Sequence, residues 1–126
     1  MKMISPTRCT TVRSDSGGDG KYGSKRRQKR HKGTDYLFLL AHKDCIEEAP
    51  VVAPISGVVS RIVYPYADRS YSGLLIIGTS CSVKIMYFKP VHGIVGQSVQ
   101  QGDFIGYGQD ISKREGYEKC LPHVHL

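Results

Sequence analysis

The sequence predicts an all-β domain, built as a compact antiparallel β-sandwich or a partly open barrel. Its apolar runs are short and rich in β-branched residues, its 14 glycines favour turns, and no segment repeats apolar residues with the 3.6-residue period of a helix. A chain of 126 residues fits one domain, so residues 1–126 are expected to fold as a single unit that begins with a polar segment, 1–20.

The predicted strands follow a long polar stretch. Within it, SDSGGDGKYGSKRRQKRHKG (14–33) has frequent glycines and no hydrophobic periodicity, which indicates a loop. The elements expected after it are a strand in DYLFLL, two short strands around a turn in PVVAPISGVVSRIVYPY, a hairpin of GLLIIG and SVKIMYFKP with GTSC as its turn, short strands in VGQSVQQGDFIGYG, one or two helical turns in ISKREGYEKC, and a last strand in LPHVHL.

The segment SVKIMYFKP (82–90) is predicted to be one continuous strand. Successive side chains of a strand point to opposite faces. One face would carry Val83, Ile85, Tyr87 and Lys89, and the other Lys84, Met86 and Phe88. We assign the face with Tyr87 to the functional site.

The net charge of +7 favours an anionic partner. The basic run KRRQKRHK (25–32) lacks interleaved aromatic residues, and no DNA-binding motif surrounds it. We therefore expect a polyanionic surface contact rather than specific nucleic-acid binding, with a metal-free nucleic-acid-binding β-domain as the alternative. No apolar run approaches the roughly 20 residues of a membrane span, and MKMISPTRC lacks the apolar region of a secretory signal.

The four cysteines do not form a C-x-x-C pair, which argues against a zinc ribbon. They allow two disulfides in three connectivities. In a reducing compartment they would remain four buried thiols, and both alternatives stay open.

Two histidines flank one valine in LPHVHL. If this segment is a strand, His123 and His125 project from the same face and can reach one ion or one substrate. A second group, His31 and Asp35, stands on either side of Gly33, where the chain can bend. Two imidazoles, one carboxylate and a water in the fourth position describe an open catalytic zinc site. The alternative reading is a solvated edge strand, a basic run that happens to include His31, and a turn capped by Asp35.

Five motifs occur in a fixed order: HKGTD (31–35), APISGVV (53–59), MYFKP (86–90), VGQSVQQGDFIGYG (95–108) and HVH (123–125). In this combination the chain from Gly20 to Leu126 resembles the lysostaphin-type, or LytM-like, zinc endopeptidases of the duplicated hybrid motif superfamily. These are mostly bacterial and phage enzymes that cut peptide cross-links in peptidoglycan. In its Tyr22-to-Asp35 stretch and its VKIMYFKP strand, the chain is similar to the subgroup that includes leukocyte cell-derived chemotaxin.

The resemblance implies the lysostaphin-type peptidase fold and a role for each candidate residue. His31, Asp35 and His125 would hold Zn²⁺, and His123 would act as general base or stabilise the oxyanion. The groove beside the metal is expected to include Tyr22, Tyr87 and His92. The implied function is a zinc-dependent endopeptidase, expected to be a monomer, that acts on peptidoglycan or another anionic wall polymer through a metal-activated water. It would act at the cell wall, in the periplasm or outside the cell, by an export or phage-type release route that the sequence does not identify.

Lys89 departs from the family pattern, because active members carry a second catalytic histidine at this position of the strand. An imidazole exchanges protons near neutral pH, whereas a lysine ammonium acts as a base only when it is strongly desolvated. Lys89 could still stabilise an oxyanion by its charge. The alternative function is therefore a zinc-bearing binding module with impaired turnover that recognises a wall fragment or a protein receptor.

Overall fold

The structure is a computed structural model that describes residues 3–9, 14–15, 18–19, 25–26, 29–30, 34–38, 45–116 and 123–126. Its strands are β1 (Ser14–Asp15), β2 (Gly18–Asp19), β3 (Lys25–Arg26), β4 (Lys29–Arg30), β5 (Asp35–Leu37), β6 (Pro50–Val52), β7 (Gly57–Val63), β8 (Gly73–Ile77), β9 (Ser82–Met86), β10 (Phe88–Pro90), β11 (Ser98–Val99), β12 (Phe104–Gly108) and β13 (His123–His125). In this part of the chain, helical structure is limited to two short 3-10 helices, Ile46–Glu48 and Ile111–Lys113. None of the described helices has the length and apolar character needed to cross a membrane.

The strands form two main antiparallel sheets. Six strands make the larger sheet in the order β11-β7-β8-β9-β13-β5, and three make the smaller sheet in the order β10-β12-β6. Across the described residues neither sheet closes into a barrel, so the all-β prediction is confirmed in an open, two-sheet form. Two further ladders, β1 with β2 and β3 with β4, contain two residues per strand.

One buried cluster takes side chains from both sheets. Leu74 and Ile76 of β8 enter it by strict alternation, and Ile105 enters it from β12 of the smaller sheet. Burial of each such side chain stabilises the fold by about 1.5–3 kcal/mol. This shared core packs the two sheets against each other, whereas the described ladders run within each sheet.

Most predicted elements are present. The hairpin of β8 and β9 is closed by GTSC, where the backbone N–H of Gly78 donates to the carbonyl of Cys81 at 2.9 Å. The region 50–66 does form two short strands, but β6 and β7 belong to different sheets rather than pairing around a turn. The helical turn expected in ISKREGYEKC is the second 3-10 helix, which the carboxylate of Asp110 caps by accepting from the backbone N–H of Ser112.

The strand predicted over 82–90 breaks at Tyr87. Its φ of 77° lies in the left-handed region that a bulky residue rarely adopts. The break divides the segment into β9 of the larger sheet and β10 of the smaller one. Ile85 and Phe88 are both buried in the core, because the break shifts the alternation by one residue. The predicted continuous face that joins Tyr87 to Lys89 is therefore wrong.

The first residues are attached to the sheets by hydrogen bonds. The backbone N–H of Val52 donates to the carbonyl of Pro6 at 2.8 Å, and the hydroxyl of Thr7 donates to the carbonyl of Leu37 at 2.7 Å. Thr7 is buried, so this bond satisfies a polar group that would otherwise be costly to bury. The polar stretch before β5 thus has more local structure than its composition indicated.

The described cysteines are free thiols. Cys9, Cys45 and Cys81 form no disulfide, and Cys81 and Cys45 are exposed. Cys120 lies outside the described residues. Of the two alternatives that the sequence left open, the structure therefore has thiols at these three positions.

Replacement of a buried aromatic residue in the smaller sheet tests the shared core. Phe88→Ala is expected to lower the free energy of unfolding by about 3–5 kcal/mol, because Phe88 is fully buried and its removal leaves a cavity. Phe104→Ala is the matched control, since Phe104 is 45% exposed, and it should cost no more than about 1 kcal/mol. Denaturant unfolding of both variants measures the difference. Equal losses would mean that the two sheets do not pack through Phe88.

Candidate metal centre

Two predicted metal ligands meet at the edge of the larger sheet. Nδ1 of His125 and Oδ1 of Asp35 lie 2.7 Å apart, although the residues are 90 positions apart in the chain. The side chain of Asp35 is 2% exposed and that of His125 is 17% exposed. The carboxylate is thus enclosed by protein, and the imidazole retains a limited opening to solvent.

Strand register brings these two side chains together. β13 pairs antiparallel with β5, with Asp35 directly opposite His125 and Leu37 opposite His123. Two backbone hydrogen bonds between Thr34 and Leu126, of 2.9 and 2.8 Å, extend this pairing by one residue. Directly opposite residues have closely spaced Cβ atoms, so the register alone places the carboxylate beside the imidazole.

The contact is chemically suited to a metal. An ionised carboxylate only accepts hydrogen bonds, so Nδ1 of His125 donates to Asp35 in this arrangement. A cation that displaces that proton could take both atoms as ligands, and carboxylate oxygen and imidazole nitrogen are ordinary zinc donors. Alternatively, Asp35 could stay hydrogen-bonded and orient the ring while the other ring nitrogen binds the ion.

The remaining predicted ligands are only partly described. His31 and Tyr22 lie outside the described residues. His123 is described by its backbone, which places it in β13 opposite Leu37. Among the side chains that the structure does describe, no group of three or more histidines, cysteines or carboxylates is arranged to hold a metal ion.

Tyr87 is the predicted groove residue that reaches this pair. Its ring contacts that of His125 edge-on, with centroids 6.4 Å apart. The ladder pair between β9 and β13 joins Met86 to His125, which puts the break at Tyr87 immediately beside the imidazole. Of the other described candidates, Lys89 is exposed on β10 in the smaller sheet, opposite Tyr107, and His92 is exposed in the turn that follows β10.

Three tyrosines pack around the break. Tyr66 stacks on Tyr87, and Tyr71 meets both rings edge-on, at centroid distances between 6.0 and 6.3 Å. The hydroxyls of Tyr66 and Tyr87 are 3.3 Å apart. Arg114 lies 3.6 Å above the ring of Tyr66, so a cation covers the outer side of the tyrosine cluster. Tyr66 and Tyr71 thus form one aromatic cluster with Tyr87.

A cavity of about 460 Å³ adjoins the tyrosine cluster. It is lined by Asp68, Ser70, Tyr71, Lys113, Arg114 and Glu115. Its charges are largely compensated, because Arg114 pairs with Asp68 at 3.1 Å and Lys113 with Glu47 at 2.7 Å. Hydrogen bonds from Ser70, together with the Arg114 guanidinium, lower the pKa of Asp68 to about 2. Burial and the nearby Asp110 raise the pKa of Tyr71.

Ser72 and Gln109 contribute to this region without any signal in the sequence. Neither residue type is characteristic of a metal site, and their importance depends on contacts with the break at Tyr87. The backbone N–H of Ser72 donates to Oε1 of Gln109 at 2.9 Å, across 37 residues of chain. Only the tertiary structure could reveal this pair.

Comparison with known proteins does not assign the chain. A scan against protein-family models gives no match, and a search of curated proteins gives none either.

A double-mutant cycle tests whether the carboxylate and the imidazole interact. Asp35→Ala, His125→Ala and the double variant, unfolded in the presence of a chelator, should give a coupling energy of about 1–3 kcal/mol, because the contact is a partly buried hydrogen bond to an ionisable group. The Asp35–His125 contact would be refuted if the two single losses simply add.

The acid titration of Asp68 tests the hydrogen bonds that Ser70 and Arg114 donate to it in the cavity wall. Its pKa is lower in the folded chain than its ordinary 3.8, so its contribution to stability is complete above pH 3.8 and disappears as the pH falls toward 2. Ser70→Ala removes one of the donors, and the pKa of Asp68 should rise in that variant. Carboxyl-detected NMR titration measures both values. A wild-type midpoint near 3.8 would contradict the hydrogen bonding described for this loop.

Proposed function

We propose that the chain is a zinc-bearing domain of the lysostaphin type that recognises the peptide part of a cell-wall polymer. The Asp35–His125 contact is the observation that carries this proposal, because it joins two of the three ligands that the family resemblance implies. His31 is proposed as the third protein ligand. The five ordered motifs add support from the sequence, although no family model matches the chain.

Lys89 favours a domain that binds its ligand without cleaving it. Bound zinc would supply Lewis acidity toward a carbonyl oxygen of the ligand. In the family pattern a second histidine takes part in proton transfer beside His123, and the lysine ammonium that stands at this position has three donors and no acceptor. Lys89 is exposed on β10, where its charge is available to a ligand carbonyl or phosphate. It therefore suits binding better than proton transfer.

The zinc endopeptidase remains the second candidate, and Tyr87 favours it. A residue held in an unfavourable backbone conformation beside a metal ligand is typical of sites where geometry is selected for chemistry. A phenol in this place can donate a hydrogen bond to a developing oxyanion. His123 would then serve as general base, as the resemblance implies.

The proposed partner is a peptidoglycan fragment or another anionic wall polymer, bound by a monomer outside the cell or in the periplasm. The net charge of +7 would raise the local concentration of such a polymer around the domain. A protein receptor is the other partner consistent with a binding module.

Zinc stoichiometry tests the proposed ligands. Purified protein should contain one zinc per chain, and His31→Ala, Asp35→Ala and His125→Ala should each lose it, because removal of one of three protein ligands leaves too few. His92→Ala is the matched control and should keep the metal, since His92 is exposed in a turn. Inductively coupled plasma mass spectrometry gives the count. Stoichiometric zinc in the His31 variant would overturn the ligand set.

Asp35→Asn separates the two roles of the carboxylate. An asparagine oxygen can still accept from Nδ1 of His125 but is a poor zinc ligand, so affinity should fall by more than about 100-fold if Asp35 binds zinc directly. A loss of about 10- to 100-fold is what an orienting role alone would give. Competition with a chromophoric chelator measures the dissociation constant.

A peptidoglycan zymogram separates binding from cleavage. The wild-type chain should bind peptidoglycan in a pull-down and leave no cleared band, with and without chelator. Lys89→His, which restores a proton acceptor at that position, is the variant expected to gain clearing. Chelator-sensitive clearing by the wild type would instead establish the endopeptidase.

A further inference from the structure

Tyr87 holds an unfavourable backbone conformation at the point where the chain passes from the larger sheet to the smaller one. Its φ is 77°, and a residue with a bulky side chain rarely adopts this left-handed backbone because it is strained. Such a conformation persists only where surrounding contacts determine it. The described contacts identify the residues that do so.

Ser72 fixes one side of the break. Its carbonyl accepts two hydrogen bonds, from the backbone N–H of Tyr87 at 2.9 Å and from that of Phe88 at 3.1 Å. Its hydroxyl donates to the carbonyl of Phe88 at 3.0 Å. One residue therefore makes three bonds to the two residues on which the chain turns.

Gln109 fixes the other side. Its backbone N–H donates to the carbonyl of Tyr87 at 3.0 Å. Its side-chain oxygen accepts from the N–H of Ser72 at 2.9 Å, and its side-chain nitrogen donates to the carbonyl of Ser70 at 3.2 Å. Gln109 thus connects the break to the segment that carries Ser72. Ser72 and Gln109 each form a hydrogen bond with the backbone of Tyr87, and they also form one with each other.

We propose that Ser72 and Gln109 are positioning residues, which together form a clamp that holds the ring of Tyr87 against His125. The clamp acts on Tyr87, which directly follows Met86 in the chain. Because Met86 is the ladder partner of His125, a shift of the break would also move a residue that is paired with His125. The functional consequence rests on the proposed zinc site: a fixed Tyr87 ring restricts the rotamers of a metal ligand.

The bonds made by the two side chains can be removed without changing the backbone. Gln109→Met keeps the size of the side chain and removes both amide bonds, and Ser72→Ala removes the hydroxyl bond. Ser72→Thr, which keeps the hydroxyl, is the conservative variant and should retain the wild-type result. Gln109→Glu keeps the acceptor for the Ser72 N–H but loses the donor to the Ser70 carbonyl, so it should fall between the wild type and Gln109→Met.

Ser56 and Gln101 provide matched controls. The backbone N–H of Gln101 donates to the hydroxyl of Ser56 at 2.8 Å, and its side-chain nitrogen donates to the carbonyl of Pro54 at 2.9 Å. This second serine–glutamine pair lies beside β7 and β11, at the opposite edge of the larger sheet from β5. Ser56→Ala and Gln101→Met therefore remove bonds of the same kind without touching the break.

Two measurements test the clamp. The first is the nuclear Overhauser effect between the rings of Tyr87 and His125 in chelator-treated protein, which should be lost in Gln109→Met and Ser72→Ala and kept in both controls. The second is zinc affinity, which should fall about tenfold in the clamp variants, as it does when groups that orient a metal ligand are removed. Circular dichroism and the unfolding midpoint establish that each variant is folded.

The outcomes distinguish the clamp from the zinc site. If the ring contact and the zinc affinity of the clamp variants match those of the controls, the clamp is refuted. If the controls lose the contact equally, the effect is general destabilisation and the clamp is again refuted. If the wild type binds no zinc, the proposed function fails, and the ring contact in metal-free protein still decides whether Ser72 and Gln109 position Tyr87.

Discussion

The burial of the Asp35 carboxylate constrains how β5 and β13, the first and last strands of the larger sheet in chain order, can pair. Taking an ionised carboxylate out of water is costly unless a partner compensates it, and Asp35 has 2% of its side chain exposed. One such partner is His125, which lies 90 residues away in sequence. β5 and β13 must therefore pair in a single register, because a slip of one residue would turn either side chain to the other face of the sheet.

The same corner of the molecule is where the two sheets are connected. β9 pairs with β13 at Met86, and the next residue turns the chain out of the larger sheet and into the smaller one. Because of this turn, Phe88 of β10 enters the same core as Ile85, which lies three residues earlier on β9. The unfavourable backbone conformation of Tyr87 thus places Phe88 in the core and the ring of Tyr87 beside His125. The hydrogen bonds from Ser72 and Gln109 stabilise this conformation.

The sequence predicted the elements better than their connections. Short apolar runs with turn residues between them were sufficient to place β8, β9 and the final strand, because these signals are local. The break at Tyr87 was missed, since its alternation pattern reads as an uninterrupted strand and the conformation depends on Ser72 and Gln109 from distant parts of the chain. The assignment of β6 and β7 to different sheets was missed for the same reason: strand pairing is a tertiary property.

The candidate site was predictable to a similar degree. The HKGTD and HVH motifs marked Asp35 and both terminal histidines as candidates, because histidine and carboxylate are ordinary metal donors. The family resemblance, and not the spacing, selected His125 of the two as the ligand. The structure places Asp35 beside His125. Tyr87 was predicted as a groove residue, but for a face that does not exist in the folded chain. Ser72 and Gln109 had no signal at all, since serine and glutamine acquire a role only through the groups they contact.

The proposed function requires one zinc ion that is held by both Asp35 and His125. Crystals grown with equimolar zinc, with diffraction data collected on both sides of the zinc absorption edge, test this requirement. We expect one anomalous peak within bonding distance of Oδ1 of Asp35 and Nδ1 of His125. A map without a peak there, or with its zinc peak at the exposed His92 instead, would contradict it.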